Sequence, residues 1–170
     1  ERMRQGLEPI LTGKDISKYG LKKASRYIKY NRADFQQCAQ DELYRAKEKL
    51  VYKFVSGSLC FTYDDKQRLF LNSANILIPE VDGMSVKTVL AFLNSSLFNF
   101  LYTKRFNDLK ILKGNLTTLP FPKITPEQDE QFTALVDRVL SGDSKVQDKI
   151  DTLIFALYDL NTEEIDLITE

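Results

Sequence analysis

The sequence predicts an α+β domain: a small, mostly antiparallel sheet packed with helices, followed by a helical C-terminal tail. Three patterns predict it. Apolar residues alternate with a period of two in short runs between residues 26 and 79. From Ser85 they recur every three or four positions. From Thr125 onward, capped amphipathic helices follow one another with no strand between them. These patterns divide the chain into an α/β body, residues 1–123, and a helical tail, residues 124–170, expected to pack on the body or on a further domain.

Arg26-Tyr27-Ile28-Lys29-Tyr30 alternates like a short strand. Asp34 with Gln37 forms a capping box, and Phe35, Cys38, Ala39, Leu43 and Ala46 follow at helical spacing, which predicts a helix of about three turns. Leu50, Tyr52 and Phe54 alternate with Val51, Lys53 and Val55 before a Ser56-Gly57-Ser58 turn. Runs at Leu59–Tyr63, Arg68–Leu71 and Asn75–Pro79 complete an expected antiparallel meander, rich in the β-branched and aromatic residues that strands favour.

Val86, Val89, Leu90, Leu93, Leu97, Phe100 and Leu101 predict one strongly apolar helix, closed by Lys104-Arg105 where cations suit the dipole. Leu109–Leu112 predicts a further strand, and the prolines of "LTTLPFPKI" hold the chain extended. In the tail, Thr125-Pro126-Glu127-Gln128 caps a helix with Phe132, Leu135, Val136, Val139 and Leu140 on one face, and Gly142 stops it. A second helix starts near Ser144 and buries Val146, Ile150, Leu153, Ile154 and Leu157. A third is capped by Asn161 and Glu164, with Ile165 and Ile168 inward.

Composition narrows the chemistry. The 43% hydrophobic and 28% charged content is that of a globular protein, and no apolar run approaches the roughly 20 residues of a membrane helix. The charged opening "ERMRQG" has no signal-peptide core, and the chain reads as a segment of something longer. Cys38 and Cys60 are expected to be free, half-buried thiols of a reduced intracellular protein, a bridge between them being the less favoured arrangement. Without histidine, the commonest acid–base group and metal ligand is missing, and two cysteines alone do not complete a zinc site. The seven glycines are scattered, so no phosphate-cradling loop is present. Acid-x-Lys triplets of the kind found in metal nucleases occur at Asp64–Lys66, Asp108–Lys110 and Asp143–Lys145. Roughly two or three are expected by composition alone, so they carry no weight. Glu163-Glu164 sits where a helix dipole favours acid.

The zero net charge conceals polarity. Residues 1–60 carry thirteen Lys/Arg against seven Asp/Glu, residues 61–120 seven against five, and residues 121–170 four against twelve. A basic body on an acidic tail points to a polyanionic partner. Lys14, Lys18, Lys22, Lys23, Arg26 and Lys29 are interleaved with Tyr19, Tyr27 and Tyr30. Lys47, Lys49 and Lys53 lead into Ser56-Gly57-Ser58, and Lys104, Arg105, Lys110 and Lys113 follow the apolar helix. Cations supply phosphate affinity, while tyrosines and hydroxyls reach base edges. On charge alone, solvation of an ordinary core explains these clusters at least as well.

The order of motifs tips that balance. "PILTGKDISKYG" at 9–20, "EKLVYKFVSGSLCFTYDD" at 48–65 and "FLNSANILIP" at 70–79 resemble successive signatures of the TaqI-like C-terminal specificity domain of adenine-specific DNA methyltransferases and Type IIG restriction enzymes. "VLAFLNSSLFNFLY" at 89–102, "LPFPKIT" at 119–125 and "IDTLIFALYDLNTEEIDLI" at 150–168 continue the resemblance in the family's order. Phe155 stands where tyrosine is usual, and Asp159 where glycine is frequent.

The resemblance implies a target-recognition domain of a bacterial, cytoplasmic restriction–modification system. It would position double-stranded DNA for a separate methyltransferase domain of the same protein, which binds S-adenosylmethionine and flips an adenine. It implies no catalytic, cofactor or metal residue in this chain and no membrane partner. The parent is expected to be a site-specific adenine methyltransferase, with or without endonuclease activity. Charge and loop position nominate Lys22, Lys23, Arg26, Lys53, Ser56, Ser58, Arg105, Lys110 and Lys113 for DNA contact, while Asn94 and Ser95 are expected to be scaffold. The competing classes are a protein-interaction module docking through its helical tail, and an enzyme in its own right.

Overall fold

The computed structural model describes residues 6–170; the opening segment and the charges of Arg2 and Arg4 lie outside the described residues. Strands β1 (Glu8–Leu11), β2 (Ile16–Ser17), β3 (Gly20–Leu21) and β4 (Arg26–Ile28) come first, followed by a four-residue helix α1 (Asp41–Tyr44). Strands β5 (Lys49–Lys53), β6 (Phe61–Asp64), β7 (Leu69–Phe70) and β8 (Ala74–Leu77) precede helices α2 (Val86–Asn94), α3 (Ser96–Arg105) and α4 (Lys113–Leu116). The tail is α5 (Pro126–Leu140), α6 (Gln147–Leu157) and α7 (Thr162–Thr169). The class is α+β, as the sequence predicts.

Two three-stranded sheets organise the body. One has the order β4-β1-β7 and the other β6-β5-β8. Leu11, Ile16, Val51, Phe70 and Ala74 fill the layer between them. On the far side of β6-β5-β8, Leu50, Tyr52, Phe61 and Leu77 meet Phe92 and Phe98 of α2 and α3, and Phe132, Val136, Ile150 and Ile154 of α5 and α6, in one continuous core. β5 is therefore buried on both faces, which explains why "LVYK" carries apolar residues at consecutive positions. Tail and body share this core, and polar groups fasten the seam. Ser85 N donates to Asp129 Oδ1 at 2.8 Å, Ser96 N donates to Asp151 Oδ1 at 3.0 Å, and Lys87 pairs with Asp137 at 2.6 Å. Among the described residues no helix is long and apolar enough to cross a membrane.

The structure corrects several expectations. The three-turn helix expected after Asp34 is only α1. Residues 32–34 form a single 3-10 turn capped by Asn31, and residues 35–40 are irregular. Side chains have taken over that backbone: Arg32 donates to the Ala39 carbonyl, and Ala39 N donates to the Tyr44 hydroxyl at 3.2 Å. The meander is also revised. β5 pairs with β6 and β8, but β7 leaves that sheet to pair in parallel with β1, Leu11 opposite Phe70. Alternation identifies strands, not their partners.

The apolar helix expected through residue 105 is two helices. Ser95 (φ −66°, ψ 155°) leaves the helical region, donates to Phe92 O at 2.7 Å and accepts from Phe98 N at 3.2 Å, so one residue ends α2 and caps α3. The strand expected at 109–112 is a single bridge, Lys110 opposite Val55. Local caps fare better. Thr125 with Gln128 and Asn161 with Glu164 form complete capping boxes, and Gly142 ends its helix at φ +107°. Cys38 and Cys60 are free and half-buried.

Candidate nucleic-acid interface

The turn at residues 71–74 gathers the ends of both sheets. Ser73 Oγ accepts from Gly13 N at 3.0 Å, and Ser73 O accepts from Phe54 N at 3.1 Å, so the loops leaving β1 and β5 meet on one residue. A Cβ at Gly13 would collide with the Ser73 carbonyl, so only glycine permits this approach. Beyond Phe54, Ile111 N donates to Phe54 O at 2.7 Å and Ser56 N donates to Leu109 O at 2.8 Å, drawing the 106–112 loop to the same end. On the other flank, β4 runs antiparallel to β1 with Arg26 opposite Ile10. Backbone bonds thus bring segments 12–15, 22–26, 53–58, 71–74 and 108–113 along one edge.

The nominated residues fall along this edge as follows. Arg26 lies 3.9 Å from Asp15 and within 3.5 Å of the Thr12 hydroxyl, and Lys22 N donates to Asp15 O at 2.9 Å. Hydrogen bonds from Thr12 hold the Asp15 carboxyl below its ordinary pKa, and the Arg26 and Lys22 charges add to that effect. Lys53 ends β5 half-buried, near enough to Cys60 to oppose the rise that burial causes in the thiol's pKa. Ser56 Oγ accepts from Ser58 N at 3.4 Å and shapes the turn, leaving Ser58 exposed. Lys110 is exposed beside Val55, and Lys113 opens α4. Lys23 is exposed between β3 and β4. Arg105 stands apart, its guanidinium over Phe106 and 3.4 Å from the Thr118 carbonyl.

Two cations of the sequence clusters are structural. Lys49 is fully buried, 2.7 Å from Asp64 and 2.9 Å from the Tyr44 carbonyl. Burial pushes the Lys49 ammonium's pKa down. Burial alone would raise Asp64, but Lys49 and Arg68 outweigh it and hold the carboxyl below its ordinary value. Lys18 donates to the Asn94 carbonyl at 2.9 Å, placing a cation at the C-terminal end of α2. Asn94 itself bonds Phe61 N at 2.9 Å and Phe61 O at 3.0 Å, the scaffold role expected of it.

The edge borders a cleft of about 820 Å³ between segment 35–44 and the strands β7 and β8, with Lys113, Asn72 and Asn75 on one wall and Gln36 and Gln37 on the other. Chemically, an exposed cationic rim beside a groove that carries four carboxamides among mostly apolar and aromatic residues can bind an anionic backbone and present donor–acceptor pairs next to it. A family model described as the TaqI-like C-terminal specificity domain matches residues 8–121, two-thirds of the chain. The chain belongs to this family. A search of curated proteins found no match.

The family's role is target recognition in restriction–modification systems, a non-catalytic one. In this specificity domain the matched span ends at Phe121, ahead of α5, and contains every segment of the edge. Sequence reasoning missed Thr12, Ser73 and the amides of 36, 37 and 72. The runs "LNSAN" and "FQQ" were visible, but the first falls between the expected strands at 68–71 and 75–79, and the second in an expected helix.

Proposed function

We propose that this specificity domain meets duplex DNA along the edge formed by segments 12–15, 22–26, 53–58, 71–74 and 108–113. There it positions the duplex for a separate, S-adenosylmethionine-dependent adenine methyltransferase domain of a Type IIG-like protein. The observation that supports the reading most is the convergence on Ser73, which aligns Lys22, Arg26, Lys53, Ser56, Lys110 and Lys113 from three distant stretches of sequence. Cations there release counterions from phosphates and fix register, leaving sequence to polar side chains. The specificity-domain family is non-catalytic, which supports assigning methyl transfer to the neighbouring domain.

The acidic tail lies on the opposite side of the β6-β5-β8 sheet from β1 and β4, and its carboxylates Asp129, Asp137 and Asp151 bond the body. These three tail carboxylates are engaged with the body, and the acids within the edge segments themselves are Asp15 and Asp108. Charge reversal tests the reading. In the full-length protein, Lys22→Glu, Lys53→Glu and Lys110→Glu should each weaken duplex binding and lower the slope of log affinity against log salt by about 0.9 per lost phosphate contact. Lys145→Glu, on the tail, should leave the slope unchanged. An equal slope in all four variants would remove the edge from the account.

A further inference from the structure

The irregular segment 31–40 has the construction of a recognition loop. Its two ends are clamped: Tyr30 OH donates to Asp41 Oδ1 at 2.6 Å, Arg32 lies 3.5 Å from Asp41, and Arg32 donates to Ala39 O. Tyr30 stacks on Phe35 at 5.7 Å, and the Tyr44 hydroxyl ties Ala39 N to Phe70 O. Arg32 and Asp41 thus hold the loop itself. Held this way, the loop displays Gln36 and Gln37, both exposed, and among the described contacts neither side-chain amide bonds to any other group of the chain. Both line the 820 Å³ cleft, as does Asn72 on the opposite wall, likewise exposed, next to the Ser73 on which the cationic edge converges.

We infer that Gln36, Gln37 and Asn72 read base edges, and that the base pairs they read are A·T. A carboxamide offers one donor and one acceptor side by side, the pair that matches adenine N6 and N7 in the major groove. The segment contributes little to phosphate affinity, since its one cation, Arg32, is matched by Asp34 and engaged on Asp41 and Ala39. Pinned backbone and unengaged amides give a reader that adds discrimination without adding charge. This inference rests on the DNA-contact reading above and names which of its residues specify sequence.

Selection from random duplex pools tests it, using the full-length protein and the double variant Gln36→Ala/Gln37→Ala. The wild type should select a site containing A·T pairs. The variant should lose discrimination at one or two of them by about 5- to 150-fold, with the salt dependence of binding unchanged. Gln37→Glu should redirect selection at one position toward cytosine, whose N4 amino group a carboxylate accepts. Both variants lie on the surface, and an unchanged melting temperature verifies that the fold persists. Selection identical to wild type in both variants overturns the assignment while leaving the cationic edge standing. A wild-type protein that binds no duplex overturns both.

Discussion

Single residues decide what the charges of this chain do. Lys49 and Lys53 are two periods of one alternation apart in the sequence, yet one is sealed in the core and the other ends half-buried at the cationic edge. Charge was legible in the sequence and burial was not, because a lysine spaced like a solvent-facing residue can be claimed by a carboxylate on the next strand. Asp64 is that carboxylate. Its folded pKa lies below the ordinary value, so the stability it contributes is present above the unfolded pKa of about 3.9 and is lost as pH falls through the folded one. Asp64→Asn should therefore destabilise the domain by about 3–5 kcal/mol at neutral pH, the cost of leaving a buried cation unpaired. It should also flatten the loss of stability below about pH 4. Urea titrations from pH 7 to pH 2 measure both; an acid limb identical to wild type would mean that other carboxylates govern it. Asp159 shows a departure explained. It occupies the left-handed region at φ +51°, with Leu160 N donating to Phe155 O and Asp159 N to Ala156 O, a helix-ending motif that glycine fits most easily.

At the scale of elements, legibility followed the range of the determining contacts. Caps depend on residues three apart, and the tail helices start and stop where Thr125, Gly142 and Asn161 indicate. The 34–46 helix failed because Tyr44, Arg32 and Phe70 O, partners from outside the local period, hold segment 35–40 in another shape. The α2–α3 break was hidden because both halves are apolar and only one residue leaves the helix. Asn94 shows how that break is used: its side chain satisfies the backbone N–H and carbonyl of Phe61, and its own carbonyl holds Lys18. Asn94→Ala should leave the buried Phe61 N–H without its partner, costing about 1–3 kcal/mol, while the Phe61 carbonyl keeps its bond from Tyr19 N at 2.9 Å. The backbone carbonyl that holds Lys18 survives this substitution, so the β2–β3 hairpin should stay pinned. Chemical denaturation with amide exchange of residues 16–21 checks both. Wild-type stability would show that water replaces the amide without penalty.

For the whole molecule, the polarity of body and tail was the most informative property of the sequence, and the fold gives it a physical form. Sheets, a buried seam and helices hold the acidic tail on one side, while strand ends deliver cations to an edge on the other. The separate clusters were visible in order; that Gly13, Ser73 and Phe54 would join them was not, because contacts across 60 residues leave no local period. The fold class and family motifs were thus readable, whereas the site's assembly required the three-dimensional arrangement. The central claim is that this edge, and not the helical tail, faces DNA. Hydrogen–deuterium exchange of the full-length protein with and without a duplex it selects tests that claim most directly. Slowed exchange is expected in 12–15, 22–26, 53–58, 71–74 and 108–113, with α5, α6 and α7 unaffected. Protection of those three helices, with the five segments unchanged, would contradict it.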